Sequence, residues 1–359
     1  MSQRQQLLAW GIILVVFILL LVLLRGILLP FVAAMAIAYF LDPVADWLER
    51  RGLGRTLATL GIITAFFLLA TLLILLLVPV VAGQFQNFLD RVPGYVAAFR
   101  EQVLPYLQSI GSRFGLESQF DVKEALAKNS EKTMEVIGNV LTGLLGGGQA
   151  ILNLVSLLVV TPIVSFYLLR DWDRMVARVD GYLPREHAAT IREQALEIDR
   201  VLSGFVRGQM LVCLFLAAFY GAALSIVGLE FGLFIGLLAG AISFIPYVGS
   251  TIGLVLSVGV ALVQFWPDWP WVAVVLGIFA LGQFMEGNFL TPRLVGDRVG
   301  LHPVWVIFGL FAGGALFGFV GMLIAVPVFA MIGVLTRFML GRYRDSRLYS
   351  GKGPPAPQP

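Results

Sequence analysis

In the stretch GQFMEGNFLTPRLVGDRVGLHP, Gln283 and Glu286 interrupt an apolar run and Asn288 follows closely. A separation of three residues puts Gln283 and Glu286 on one helix face, where amide and carboxyl can bond each other or share a ligand. A carboxyl within a spanning helix is costly, and the chemistry it points to by default is that of a proton or cation carrier. A second role is open to Glu286: an interfacial carboxylate at a helix end, paired with Arg293 or Arg298.

Two further segments could build a polar path from backbone alone. Residues 231–265 hold no Lys, Arg, Asp or Glu, yet Pro246, Gly249 and Gly253 stand in their middle beside Tyr247 and Ser250. Residues 304–338 carry Gly309, Gly313, Gly314, Gly318 and Gly321, with Pro327 beyond. Pro246 lacks an N–H and disfavours helix at Ile245, while glycine permits sharp turns and close approach. Non-helical backbone at membrane depth is tolerated only where protein buries it or where it lines a watery cavity. Broken helices in corresponding halves are the architecture of secondary-transporter sites. Glycines also permit tight helix packing, as the Gly314 and Gly318 pair would. The resulting path consists of Pro246, Tyr247, Gly249, Ser250, Gln283, Glu286, Asn288, Gly313 and Gly314, with the two broken tips meeting near mid-membrane. Gly253, Pro292, Arg293 and Pro327 would shape or gate it.

Elements long enough to hold such groups follow from composition: 58% of residues are hydrophobic and 13% charged, which places the chain among integral membrane proteins. Apolar runs at 7–24, 27–41, 57–82, 150–169, 209–227 and 271–289, with the two interrupted runs, predict an all-α protein of about eight membrane segments. Gly26 and Pro30 stand at the bend between the first two runs, and the first run is read as a span rather than a signal peptide. Asp42 before Pro43 is expected to end one helix and cap the next. His302 before Pro303 is expected to cap a helix.

The chain therefore divides into N-terminal membrane helices at 1–82, an extracytoplasmic amphipathic helical subdomain at 83–148, and a membrane helix at 149–170. A cytoplasmic amphipathic helix at 171–207, a transport core with two broken hairpins at 208–340 and a disordered cytoplasmic tail at 341–359 complete it. Pro93 and Pro105 are expected to divide the 83–148 region into short pieces. Seven arginines from Arg170 to Arg207 lie close to two membrane helices, whereas six basic residues are diluted through 83–148. The positive-inside rule then places both termini in the cytoplasm. Each interrupted run either crosses once or dips in and returns as a re-entrant hairpin. The hairpins leave Arg293 and Arg298 cytoplasmic and put Trp266, Trp269 and Trp271 at the outer interface.

Other chemistry finds no support. The one cysteine, Cys213, allows no disulfide within the chain, and its apolar surroundings suit a core residue. The small, dispersed net charge of +3 argues against a nucleic-acid partner. No GxxxxGK[ST], GxSxG or HExxH motif is present, so the chain is read as a non-enzyme without cofactor or metal. VGDRVG lacks the first glycine of the intramembrane aspartyl protease pattern.

The segments TPIVSFYLLRDWD, FIPYVGSTIG and QFMEGNFLTPRLVGDRVGLHPVWVIFGLFAGGALFGFVGMLIAVPVFA resemble those of the autoinducer-2 exporter family, the PerM-like permeases of bacteria and archaea. The resemblance runs from residue 27 to about 337 and is most specific from Arg200 onward. It places the family's Pro-Tyr-x-Gly segment on Pro246, Tyr247 and Gly249, and its Glu-x-x-x-Leu-x-Pro-Arg segment on Glu286, Leu290, Pro292 and Arg293. It implies a multi-span inner-membrane transporter that exports a small polar solute such as autoinducer-2 coupled to an ion gradient, or exchanges sodium or lithium for protons. It also implies a homo-oligomer such as a pentamer, working by elevator-like movement of the hairpin-bearing part. A reading of a different class is a membrane scaffold that binds a partner protein through 83–148; the broken helices weigh against it, since a scaffold has no use for glycines at membrane depth.

Overall fold

A computed structural model describes residues 3–98, 101, 105, 147–295, 300–346 and 349. Every main element among them is helical. In chain order these are α1 (Gln3–Leu23), a 3₁₀ turn (Arg25–Ile27), α2 (Leu28–Arg50), α3 (Arg55–Ala98), α4 (Gly147–Gly181), α5 (Ala188–Ile226), α6 (Gly232–Ile242), α7 (Val248–Gln264), α8 (Trp269–Met285), a π-helical stretch (Glu286–Val295) and α9 (Pro303–Arg344). Among the described residues, five stretches are helical, long and apolar enough to cross a membrane: Arg25–Arg50, Arg55–Leu73, Ala188–Ile226, Trp269–Val295 and Pro303–Arg344. Helix is what such sequences must form in lipid, because it satisfies every backbone N–H and C=O within the segment.

Gly26 and Pro30 stand at the junction of the first two helices as expected, whereas Pro43 and Pro93 do not act as the sequence reading has them. Pro30 lies in the first turn of α2, where a missing N–H leaves no bond unmade, and Gly26 sits in the 3₁₀ turn itself. The expected helix end at Asp42–Pro43 is absent, and α2 runs through Pro43 to Arg50. A proline inside a helix orphans the carbonyl four residues back. Here that carbonyl belongs to Tyr39, and the Arg207 Nε–H donates to it at 2.7 Å. Pro93 likewise lies within α3 and divides nothing, while most of 99–146 lies outside the described residues. The 171–207 stretch is two helix ends rather than one surface helix: α4 continues to Gly181, and α5 begins at Ala188 and passes without interruption into its apolar part. Arg192 joins those ends by bonding both oxygens of Asp180, at 2.5 and 2.9 Å, and that hydrogen bonding holds the Asp180 carboxyl below its usual range.

The chain divides into two compact units by packing, a different partition from one drawn at loops. Residues 1–64, 163–212 and 287–359 form the first unit, and residues 65–162 and 213–286 the second. In the first, Val201, Ala330 and Val334 are buried together with Ile198 and Leu301 against them. Asp42, Asp46 and Glu49 recur at helical spacing along α2, and Arg55 at the start of α3 reaches all three, at 3.1, 2.6 and 3.2 Å. The same guanidinium donates to the Leu169 carbonyl of α4 at 3.1 Å, so one side chain ties three helices.

The second unit packs closely through small residues. Gly232, Gly236 and Gly240 form one stripe of α6, and each backs directly onto α5: Gly232 on Leu224, Gly236 on Gly221, and Gly240 on Ala217. Lipid is as apolar as a leucine side chain, so burial alone does not pair helices in a membrane, and close backbone approach between small residues does. On the other side of α6, a methyl group added at Gly253 of α7 would fall 2.5 Å from Ala239 Cβ and 2.9 Å from the Phe279 ring of α8.

Candidate functional site

The first interrupted run breaks where Pro246 and Gly249 suggest. α6 ends at Ile242, α7 begins at Val248, and Tyr247 between them adopts a left-handed conformation with φ of 68°. That region is unfavourable for a bulky residue, so the turn holds local strain of the kind that gathers at functional sites. Gly249 makes the turn possible, because its α-carbon lies against the Ser243 N–H and the Ala239 carbonyl at the end of α6. The Thr251 hydroxyl donates to the Tyr247 carbonyl at 2.6 Å, and Ser250 reaches the same oxygen at 3.4 Å. Tyr247 itself is exposed. Gly249→Ala should therefore destabilise the protein by about 2 kcal/mol, since backbone must move to admit the methyl group. Thermal unfolding in detergent checks this, with Gly277→Ala, which has open space around it, expected to match the wild type.

The second interrupted run breaks elsewhere than expected. Gly313 and Gly314 are helical, and the chain turns at Gly318, whose φ of 61° and ψ of −139° are outside the helical range. In a straight helix Gly309 and Phe329 would be about 30 Å apart. Here a methyl group at Gly309 would lie 2.8 Å from the Phe329 ring, and Trp305 stacks on that ring with centroids 6.4 Å apart. The arms on either side of Gly318 thus fold back on each other. Gly313 meets the Gly321 backbone where they cross, Gly314 faces Met322, and Pro327 is accommodated within the second arm. Glycine is needed at 318 for its backbone angles and at 313 for contact.

Gln283 and Glu286 are brought together as their spacing predicts: the amide donates to Glu286 Oε2 at 2.9 Å. Glu286 is partly buried and, among the described residues, has no ion-pair partner. Arg293 lies over the Phe289 ring at 5.8 Å, and Arg298 lies outside the described residues. From Glu286 to Val295 the helix widens to π geometry through Asn288, Pro292 and Arg293. Such irregular turns are frequent at functional positions. Gly208 of α5 packs against the end of this stretch at Leu294 and Val295. Pro246, Tyr247, Gly249, Ser250, Gly253, Gln283 and Glu286 belong to the second unit, while Asn288, Pro292, Arg293, Gly313, Gly314 and Pro327 belong to the first. His302 caps α9, its Nδ1 accepting from the Val304 N–H at 3.3 Å.

Three groupings were not singled out from sequence. Tyr220 of α5 is fully buried, with its ring stacked on Phe279 at 4.6 Å and its hydroxyl against Gly282, one residue before Gln283. At the start of α6, Glu230 accepts from Arg91 at 2.6 Å and from the Tyr95 hydroxyl, and its N–H donates to Gln264 at 2.7 Å. These groups line a cavity of about 490 Å³, where burial and then the Glu230 carboxylate push the Tyr95 phenol up to about 12. In the first unit, Tyr39, Asp199, Trp172 and Arg207 line a cavity of about 280 Å³, and the Tyr39 hydroxyl donates to Asp199 at 3.2 Å. The only sequence signal for these was a polar tip in an apolar segment, as at Tyr220 in FLAAFYGAALS. Among the described residues no group of three or more His, Cys, Asp or Glu is placed to hold a metal ion.

Residues 12–341 match the model of the family described as AI-2E family transporter. The chain belongs to this family. It is 30% identical to YrrI of Bacillus subtilis (strain 168) over 312 residues, covering 87% of this chain and 86% of YrrI. It is 26% identical to PerM of Escherichia coli (strain K12) over 311 residues, covering 86% of each, and 26% identical to sll0063 of Synechocystis over 306 residues, covering 83% of this chain and 74% of that protein. The names of these relatives describe transport or permease roles and give no substrate. The chain is accordingly a helical, multi-pass membrane protein of a bacterial permease family.

Proposed function

We propose that this AI-2E family member is a secondary active transporter whose coupling proton or cation binds at Glu286 with Gln283. The supporting observation is a carboxyl at the end of apolar α8, bonded among the described residues to the neutral amide of Gln283, where the helix widens to π geometry. In this reading α6–α7 and the two arms of α9 are re-entrant hairpins, and Pro246, Tyr247, Gly249 and Ser250 line the solute path. The solute is small and polar, with autoinducer-2 export coupled to an ion gradient as the leading case and sodium or lithium exchange for protons as the second. Both draw on one carboxyl that is loaded in one state and released in the other. The transporter sits in the cytoplasmic membrane with both termini inside, and works as a homo-oligomer.

Purified protein in sealed liposomes tests this, with a pH-sensitive dye reporting sodium/proton exchange and labelled autoinducer-2 reporting solute uptake. Glu286→Gln should lower coupled flux at least about tenfold, the scale of losing the group that carries the ion, while leaving assembly intact. Flux equal to wild type would remove Glu286 from the mechanism.

A further inference from the structure

The second unit contains a buried hydroxyl with no use in the present conformation. Tyr220 is fully buried, and its Oη has no hydrogen-bond partner among the described residues. The ring is held against α8, stacked on Phe279 and placed beside Gly282 so closely that any side chain at 282 would overlap the phenol. The polar groups that act on the hydroxyl are Gln283, whose amide is committed to Glu286, and Glu286 itself. A buried donor left unmade is a cost that phenylalanine in the same slot would not carry. The packing explains the ring and not the oxygen.

We propose that the Tyr220 hydroxyl is a reserve hydrogen-bond donor for Glu286: unused here, where Gln283 holds the carboxyl, and engaged when the carboxyl leaves Gln283 in the other state of the transport cycle. Tyr220 is then a positioning residue that stabilises the ionised, unloaded Glu286, since a phenol donates well to a carboxylate and has less to offer a carboxyl already protonated. The inference rests on the reading of Glu286 as the coupling residue. It adds a donor from α5 to a site otherwise built from α8 and the stretch that follows it.

The test is Tyr220→Phe, with Glu286→Gln alongside. Because the hydroxyl is idle here, Tyr220→Phe should unfold in detergent at a temperature equal to or above that of wild type. In the liposome assay its proton flux should fall about fivefold, the population shift equivalent to one net hydrogen bond, and its pH profile should move to higher pH. Cys213, the chain's single cysteine, lies two turns before Tyr220 on α5 within electrostatic reach of Glu286. It supplies a readout independent of flux: its alkylation rate by iodoacetamide should change about fivefold in Tyr220→Phe as the balance of states shifts. A lowered unfolding temperature would show that the hydroxyl is already engaged and overturn the inference. So would alkylation within twofold of wild type, which decides the matter alone if neither sodium/proton exchange nor autoinducer-2 uptake is measurable. If Glu286→Gln abolishes flux while Tyr220→Phe matches wild type in pH profile and labelling, the coupling site stands and the reserve donor falls. If Glu286→Gln is silent, the coupling-site reading itself has failed.

Discussion

Gly236→Val should destroy the folded protein, at a cost of about 4 kcal/mol or more. Gly236 backs onto the Gly221 N–H and the Tyr220 carbonyl carbon, so the first carbon of any side chain would enter the α5 backbone. A flexible neighbour can swing aside, but here the neighbour is main chain, and moving it separates α6 from α5 along the whole stripe from Gly232 to Gly240. Lipid offers no compensating burial, because the helices gain from each other only what close packing supplies. Gly259→Val, with nothing within 4 Å, is the matched control. The measurement is the yield of monodisperse protein after detergent extraction, followed by thermal unfolding. A Gly236→Val protein that unfolds like the control would show that the stripe is not a tight contact.

Arg55→Ala has the second largest expected effect, about 3 kcal/mol. Removing one partner of a buried ion pair typically costs 3–5 kcal/mol, because the opposite charge stays behind unpaired. The arginine side chain is 16% exposed, but Asp42, Asp46 and Glu49 are 34, 44 and 49% exposed. Solvent screening therefore pulls the figure to the low end of that range. Arg207 still answers Asp42 at 3.2 Å, whereas Asp46 and the Leu169 carbonyl lose the donor the structure gives them. Arg55→Lys should recover less than half of the loss, since a point ammonium cannot span the positions a guanidinium fork reaches at once. Chemical or thermal unfolding of the three proteins in one detergent decides it, and equal stability of Arg55→Ala and wild type would reduce the hub to a surface ion pair.

What was legible in the sequence was local. The break at Pro246 follows from a missing N–H, and the pairing of Gln283 with Glu286 from helical spacing, and both are present. What was not legible depended on which element becomes a neighbour. Gly309, Gly313, Gly314, Gly318 and Gly321 are equivalent as letters, and only the fold-back of α9 separates Gly318, which takes the unusual angles, from Gly313, which takes the contact. Asp46 and Glu49 do not reveal their partner in the sequence, because nothing local announces that Arg55 will turn toward them. Pro43 reads as a helix end because its rescue comes from Arg207, far along the chain. Gly232, Gly236 and Gly240 drew no notice because their value exists only opposite Ala217 and Gly221.

The two units also bear on how such a chain can change over time. Domain boundaries ordinarily fall in exposed linkers, where segments can be excised, duplicated or exchanged. Here the chain passes from one unit to the other between Thr64 and Ala65 inside α3, between Pro162 and Ile163 inside α4, between Val212 and Cys213 inside α5, and between Glu286 and Gly287 where α8 gives way to the π-helical stretch. A recombination or gene-fission event at any of these points would sever a helix rather than release a module. Neither unit is a transplantable part, and new specificity in this architecture must arise residue by residue within helices that both units share.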